Sequence, residues 1–254
     1  MIYYNNYLAV MKKYHFLNPK GVTAHNLLIN GDFQINQRNQ SSYTCDGTKR
    51  VYGVDMWSFS KSNTFMKVTE NGIETNAPIS QMFNKLKSGV KYTVVCSIDN
   101  VIHTKSITGG TYDTGVSQTI MYLAFNDVER IVITPNGTQT INYIDLFEGE
   151  IVYKHQKEDY AIALTRCQRY VCKNCDMIMS GVIQQTYLEG TTFPIEMMKV
   201  PSVKIIKFTD ITGNDKSNEI YSVVCDKKGI RYIQLRNATS STYQYSFIFS
   251  CEPL

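Results

Sequence analysis

The chain has 254 residues and a formal net charge of +4, and its 26 basic and 22 acidic side chains make up only 19% of it. Thr, Asn, Ser and Gln, 72 residues in all, supply the remaining polarity. The 43% of hydrophobic residues exclude a disordered chain, and a helical bundle would need far more Ala, Leu, Glu and Lys than the chain contains. The mild charge with scattered lysines does not indicate nucleic-acid binding, and no segment is long and apolar enough to insert into a membrane.

The first predicted element is an aromatic-rich segment at residues 1–25, which contains a turn sequence, NPKG, at residues 18–21. One interpretation is a first strand or helix that packs on the main domain, and the other is a docking arm that a partner protein orders. We favour the arm, and its candidate anchoring residues are the aromatic ones: Tyr3, Tyr4, Tyr7, Tyr14 and Phe16. The segment lacks the features of a secretory signal, so we expect synthesis in a reducing cytoplasm.

Between residues 27 and 150, short runs with period-two alternation predict β-strands separated by turns. The clearest predicted strands are 66–68, Lys91–Ile98, 117–125, 129–134 and 140–146. Asn-Gly, Ser-Gly, Gly-Gly and Pro-Asn-Gly sequences between them are typical of tight turns. Many strands at this spacing favour an antiparallel sandwich or barrel over βαβ units.

Residues 158–171 break this pattern, because Tyr160, Leu164, Cys167 and Val171 recur at helical spacing. The spacing predicts a helix of about three turns, with acidic residues near its start and arginines near its end. The segments that follow again predict strands, at 177–187, 202–209, 219–225, 229–235 and 242–251. The helix is either an oligomer contact near Leu164 or packs between two β domains, and we favour the second.

Seven cysteines, an odd number, argue against a complete disulfide framework. Cys172 and Cys175 have the spacing of two zinc ligands, but no second pair and no suitably spaced histidine accompanies them. We therefore expect free, buried thiols and neither a metal nor a cofactor. Calcium would fit a chain rich in Asn and Asp, yet no D-x-D-x-D-G sequence supports it.

Five phrases resemble the sequences of bacteriophage tail-fibre and other virion appendage proteins. They are NLLINGDFQINQR at 26–38, YGVDMW at 52–57, IDLFEG at 144–149, ALTRCQRY at 163–170 and FPIEMMKVPSV at 193–203. The chain differs in three places from the residues usual in those proteins. Val171 stands where a second Tyr is usual, Met56 stands where an Arg is frequent, and Met198-Lys199 stands where Met-Arg is usual. Residues 1–25 lie outside the resemblance.

The resemblance implies an all-β fold with a jelly-roll-like antiparallel β-sandwich related to carbohydrate-binding modules. The expected organisation is an anchor at 1–25, the sandwich at 26–157, a linking helix at 158–172 and a smaller β-sandwich domain at 173–254. In the phrase at 26–38 we expect Gly31 to supply a positive φ angle at a turn, with Phe33 and Ile35 facing inward.

Sugar-binding modules use exposed aromatic and amide side chains, and the candidates here are Trp57, Tyr112 and Tyr187. The alternative for Trp57, which we favour, is a place in the core. For catalysis we find no G-x-S-x-G, no HExxH and no P-loop sequence. Asp145, Glu148 and Glu150 fit a strand end better than a glycosidase pair, so we expect no enzymatic activity.

These expectations favour a non-enzymatic phage structural protein located in the virion, in a fibre, tail or particle appendage. One hypothesis is host attachment, with a β module binding a host-surface glycan. The alternative is a purely architectural connector or decoration protein of the capsid or tail, anchored through residues 1–25. Its partners would be other virion proteins of the tail, portal or capsid, and the resemblance to fibres implies a homo-oligomer, with a trimer favoured.

Overall fold

The computed structural model describes residues 26–111, 119–125, 128–150, 152–180, 187–189, 192–210, 212–236 and 242–251, without the side chains of 174–180 and 187–189. The described residues are mostly β, in several antiparallel sheets with one α-helix among them, which confirms the predicted all-β sandwich class. The chain divides into two compact units between Ala163 and Leu164.

The sandwich of the first unit has two antiparallel sheets. In spatial order, the six-stranded sheet contains β1 (Ser42–Cys45), β4 (Thr64–Thr69), β5 (Gly72–Thr75), β11 (Gln139–Glu148), β7 (Lys91–Ile98) and β8 (Val101–Thr108). The five-stranded sheet contains β2 (Val51–Tyr52), β3 (Ser58–Phe59), β6 (Ile79–Asn84), β10 (Val128–Ile133) and β9 (Ile120–Ala124). Strands that neighbour each other in space are often distant in sequence, as in a jelly roll.

Alternation along the strands builds the core between the two sheets. In β7, Val94, Cys96 and Ile98 belong to the buried hydrophobic cluster, and in β10 Ile131 and Ile133 belong to the same cluster. The residues between them in sequence therefore face away from the core, so each sheet also has an outer face.

The hairpin between β7 and β8 is absent from the sequence prediction. Its turn residues, Asp99 and Asn100, both have positive φ angles, 49° and 64°, as a two-residue turn of the I′ type requires. β8 is an edge strand with Val101 and Ile102 exposed, so its apolar residues do not follow the alternation of a half-buried strand.

Gly31 has a different role from the one the sequence suggested. The positive φ angles lie at Asn30 (56°) and Phe33 (58°), not at Gly31. A Cβ on Gly31 would collide with the backbone oxygen of Ile144, whose amide donates to the Gly31 oxygen at 2.8 Å. Glycine is needed here because two backbones approach closely.

After β11 the chain turns back along that strand, and residues 152–159 form a strap. The Tyr153 ring packs edge-on against Phe147, and the His155 ring stacks on Tyr143 with centroids 3.8 Å apart. The strap leads into helix α1 (Tyr160–Gln168), where the Asp159 carboxylate accepts the amides of Ala161 and Ile162 as an N-cap. In the part of the chain that the structure describes, no helix is long and apolar enough to cross a membrane.

The second unit contains two three-stranded antiparallel sheets. One contains β12 (Val171–Ser180), β17 (Thr242–Ser250) and β14 (Ser202–Asp210), and the other contains β13 (Tyr187–Glu189), β16 (Gly229–Leu235) and β15 (Ile220–Asp226). β12 begins at Val171, six residues before the predicted strand, because Val171–Asn174 pair with β17.

Aromatic residues dominate the core of the second unit, including Phe208, Tyr243, Phe247 and Phe249. Phe193, the first residue of the phrase at 193–203, packs against Phe249 with ring centroids 4.8 Å apart. The phrase therefore contributes to the packing of this unit.

Candidate functional site

Trp57 lies in the core, which is the alternative that the sequence analysis favoured, and it is therefore not a ligand-binding residue. Its side chain is 0% exposed, and its indole Nε1–H donates to the backbone oxygen of Asn30 at 2.8 Å. Its ring packs against Phe33 with centroids 5.4 Å apart. A ring without exposed surface offers no face on which a sugar could stack.

The first two phrases of the resemblance meet in one buried hydrogen-bond network around Asn30 and Asp55. The Asn30 amide donates to the backbone oxygens of Ile35 and Asp55 and accepts the Ile35 amide. The Asp55 carboxylate, fully buried, accepts from the Gln37 amide and side chain and pairs with Arg38 at 3.3 Å. These residues hold the fold together, and their partners lie within the chain.

Several sequence candidates fall outside the described residues. They include Tyr112, the five anchor residues Tyr3, Tyr4, Tyr7, Tyr14 and Phe16, and the side chains of Tyr187 and Cys175. Cys172, the other cysteine of the CxxC pair, is buried in the hydrophobic core of the second unit. The described residues contain no group of three or more His, Cys, Asp or Glu that could hold a metal ion.

Asp145 and Glu148 do not form a carboxylate pair. Asp145 and Glu148 are three residues apart on β11, so their side chains point to opposite faces of the sheet. Asp145 is buried beneath the strap, whereas Glu148 is exposed at the strand end, 3.5 Å from the Lys87 ammonium group.

The outer face of the five-stranded sheet brings together residues that the sequence analysis did not select. Arg130 of β10 lies directly across from Met82 of β6 and Leu123 of β9. Arg50, which precedes β2, also reaches Met82. We call the group Arg50, Met82, Phe125 and Arg130 the arginine patch.

Neither arginine of the patch has a carboxylate partner among the described residues. Arg50 Nη1 lies 3.6 Å and Arg130 Nη2 lies 3.4 Å from the same atom, Met82 Sδ, which is a weak acceptor. Arg130 Nε is buried without a hydrogen-bond partner, an arrangement that costs about 1–3 kcal/mol. Burial, followed by the charge of Arg50, lowers the pKa of Arg130 below its usual value.

Aromatic rings border these cations. The Arg130 guanidinium lies 5.5 Å from the centroid of the Phe125 ring, and Phe125 is 44% exposed. Arg38 lies 5.8 Å from the centroid of Tyr52, whose side chain is on the same outer face as Ser80 and Met82. The face thus offers both cationic donors and an exposed ring, a combination suited to binding a polar ligand with an anionic group.

One signal for this site was present in the sequence. In β10 the apolar Ile131 and Ile133 are two residues apart and face the core. Arg130 is adjacent to Ile131 in sequence, so its side chain points to the opposite, solvent side of the strand. The proximity of Arg50 depends on the strand order β2-β3-β6-β10, which no local pattern reveals.

A second polar cluster lies beneath the strap. Asp145 accepts from the Asn26 amide at 2.9 Å, and its other oxygen lies 2.9 Å from His155 Nδ1. Burial raises the pKa of Asp145, and His155 partly opposes the rise. Asp32 accepts the Glu158 amide at 3.2 Å, and burial raises its pKa as well. Because these contacts join the strap to β11 and to the NGDF sequence, we assign the cluster a structural role.

The raised pKa of Asp145 predicts a specific pH dependence. The pKa of Asp145 is near 4 in the unfolded chain and higher in the folded chain. Between these two pKa values the folded chain binds more protons than the unfolded chain, so the free energy of unfolding falls as pH rises. Asp145→Asn cannot ionise, so we expect its stability relative to wild type to increase as pH rises through this window. Urea unfolding from pH 3.5 to 7 measures the difference, with the exposed Glu70→Gln as control. Parallel curves for Asp145→Asn and wild type would contradict the prediction.

Comparison of the chain with models of known protein families, with curated proteins and with solved structures found no match.

Proposed function

We propose that this chain is a non-enzymatic structural protein of a bacteriophage virion, a tail-fibre or other appendage component that contributes to attachment to host-surface glycans. The observation that carries the proposal is the arginine patch, where two arginines without a carboxylate partner among the described residues meet at Met82, and one of them, Arg130, lies over the exposed ring of Phe125. The β-sandwich class and the phrases that resemble appendage proteins support it.

The proposal includes attachment to the particle. Residues 1–25, with their five aromatic candidates, would bind another virion protein of the tail, portal or capsid. We propose a homotrimer, which a mass measurement of the purified chain in solution tests. A trimeric mass supports it, and a monomer at micromolar concentration would contradict it.

Host attachment is tested with the purified full chain. We expect it to bind glycans of a host surface on an array and to reduce phage adsorption when added in excess. A chain that binds no glycan and leaves adsorption unchanged would overturn the attachment role.

Particle attachment is tested separately. We expect a chain without residues 1–25 to remain folded but to be missing from purified virions. Normal incorporation of the truncated chain would show that the anchor lies elsewhere.

A further inference from the structure

We infer that the arginine patch is a binding site for an anionic glycan, with Arg50 and Arg130 holding a carboxylate or phosphate group of the sugar chain. This inference rests on the proposed attachment function and adds the chemical class of the ligand. Neutral glycans would lack the group that the two arginines are placed to bind.

The first reason is the pairing of the two cations. Arg50 and Arg130 approach the same Met82 sulfur, and each lacks an acidic partner in the part of the chain described. Like charges held side by side repel each other, and an anion bound between them would add two attractive interactions that outweigh the repulsion. Elsewhere in the same unit, the arginine with a structural role, Arg38, is paired with a buried carboxylate.

The second reason is the poor hydrogen bonding of Arg130. Its Nε is buried without a partner, and its Nη2 has only a thioether as acceptor. Guanidinium groups bind carboxylate and phosphate oxygens through two parallel hydrogen bonds, which a sulfur atom cannot supply. Arg130 is partly exposed, so an anion can approach its outer nitrogen atoms from solvent.

The third reason is the ring beside the cations. Phe125 lies under the Arg130 guanidinium and keeps 44% of its surface exposed. An exposed ring next to a guanidinium can pack against the apolar face of a sugar while the arginines bind its charged substituent. Met82 and Arg130 lie on the paired strands β6 and β10, and Phe125 directly follows β9, which pairs with β10. The pairing of these three strands fixes the spacing of the three side chains.

The experiment measures binding of the full chain to three soluble polysaccharides: polygalacturonate, which carries carboxylates, a teichoic acid, which carries phosphates, and neutral dextran. We expect binding to one or both anionic polymers and none to dextran. Arg50→Gln with Arg130→Gln should weaken the binding at least tenfold. Arg130→Lys should weaken it less, because it keeps the charge but loses the planar fork.

A matched control separates a site from general charge. Lys61→Gln with Lys91→Gln removes two exposed cations outside the patch and changes the net charge equally. It should leave affinity within twofold of wild type. Thermal unfolding of each variant confirms that it is folded, and we expect no loss of stability in Arg130→Gln because it removes an unsatisfied buried donor.

The outcomes distinguish the inference from the function on which it rests. Equal losses in the arginine and lysine double variants, or equal binding of single-stranded DNA, would show general attraction to polyanions and overturn the site. If the chain binds neutral glycans and the arginine double variant still binds them, the inference of an anionic ligand is wrong. The proposed attachment to glycans would remain supported in that case. An array without any bound glycan, and unchanged adsorption, would overturn both.

Discussion

Asp55→Ala is expected to lower the free energy of unfolding of the first unit by about 3 kcal/mol, the lower end of the range for removing one partner of a buried ion pair. Asp55 is fully buried, and its carboxylate accepts hydrogen bonds from Gln37 and pairs with Arg38. Alanine would leave these donors without their acceptor. The loss stays near the lower end because 15% of the Arg38 side chain remains exposed to water.

Urea unfolding followed by the fluorescence of Trp57, the single tryptophan, reports on this unit alone, because Trp57 lies within it. Asp55→Asn keeps the shape and one acceptor, so it should lose less stability than Asp55→Ala. Glu70→Ala, at an exposed position, should match wild type. A stability of Asp55→Ala equal to that of the Glu70 control would show that the network around Asp55 does not stabilise the fold.

Trp57→Ala is expected to have the largest effect, a loss of about 3–5 kcal/mol, as is typical when a buried Trp is truncated. The indole is wholly buried, contacts Phe33, and donates to the Asn30 backbone oxygen. The substitution removes the packing and the hydrogen bond together, and it leaves a cavity that rigid sheets can fill only in part.

Trp57→Phe separates these two contributions, because it keeps most of the packing and loses only the Nε1–H donor. It should cost less than Trp57→Ala. Hydrogen exchange of the β4 and β7 amides measures both variants, since these core strands exchange through global opening of the unit. If Trp57→Ala leaves their protection unchanged but weakens binding of a glycan, the indole would be a ligand contact after all.

Strong local patterns allowed prediction of part of the fold. β7 is found over Lys91–Ile98 as predicted, because its apolar residues recur at every second position from Tyr92 to Ile98. β8 was missed because it is an edge strand whose Val101 and Ile102 are exposed and whose turn contains no glycine. Its strand conformation comes from pairing with β7, a tertiary effect that a local pattern does not contain.

The same distinction applies to the candidate site. The phrases at 26–38 and 52–57 were readily recognised, yet their conspicuous residues Asn30, Asp55 and Trp57 serve packing and hydrogen bonding. Arg130 could be placed on an outer face from its neighbours, but Arg50 joins it only through the order of the strands. A site whose residues come from separate strands in this way can be identified only from the folded structure.

The strap at residues 152–159 determines where the sandwich can be joined to another module. Tyr153 and His155 cover Phe147 and Tyr143, and Glu158 is held by Asp32 and Gln34. A junction placed at the end of β11 would separate the sandwich from its own cover and expose Asp145 to water. Recombination that exchanges the second unit for a different one, in nature or in the laboratory, must therefore place its breakpoint after Glu158.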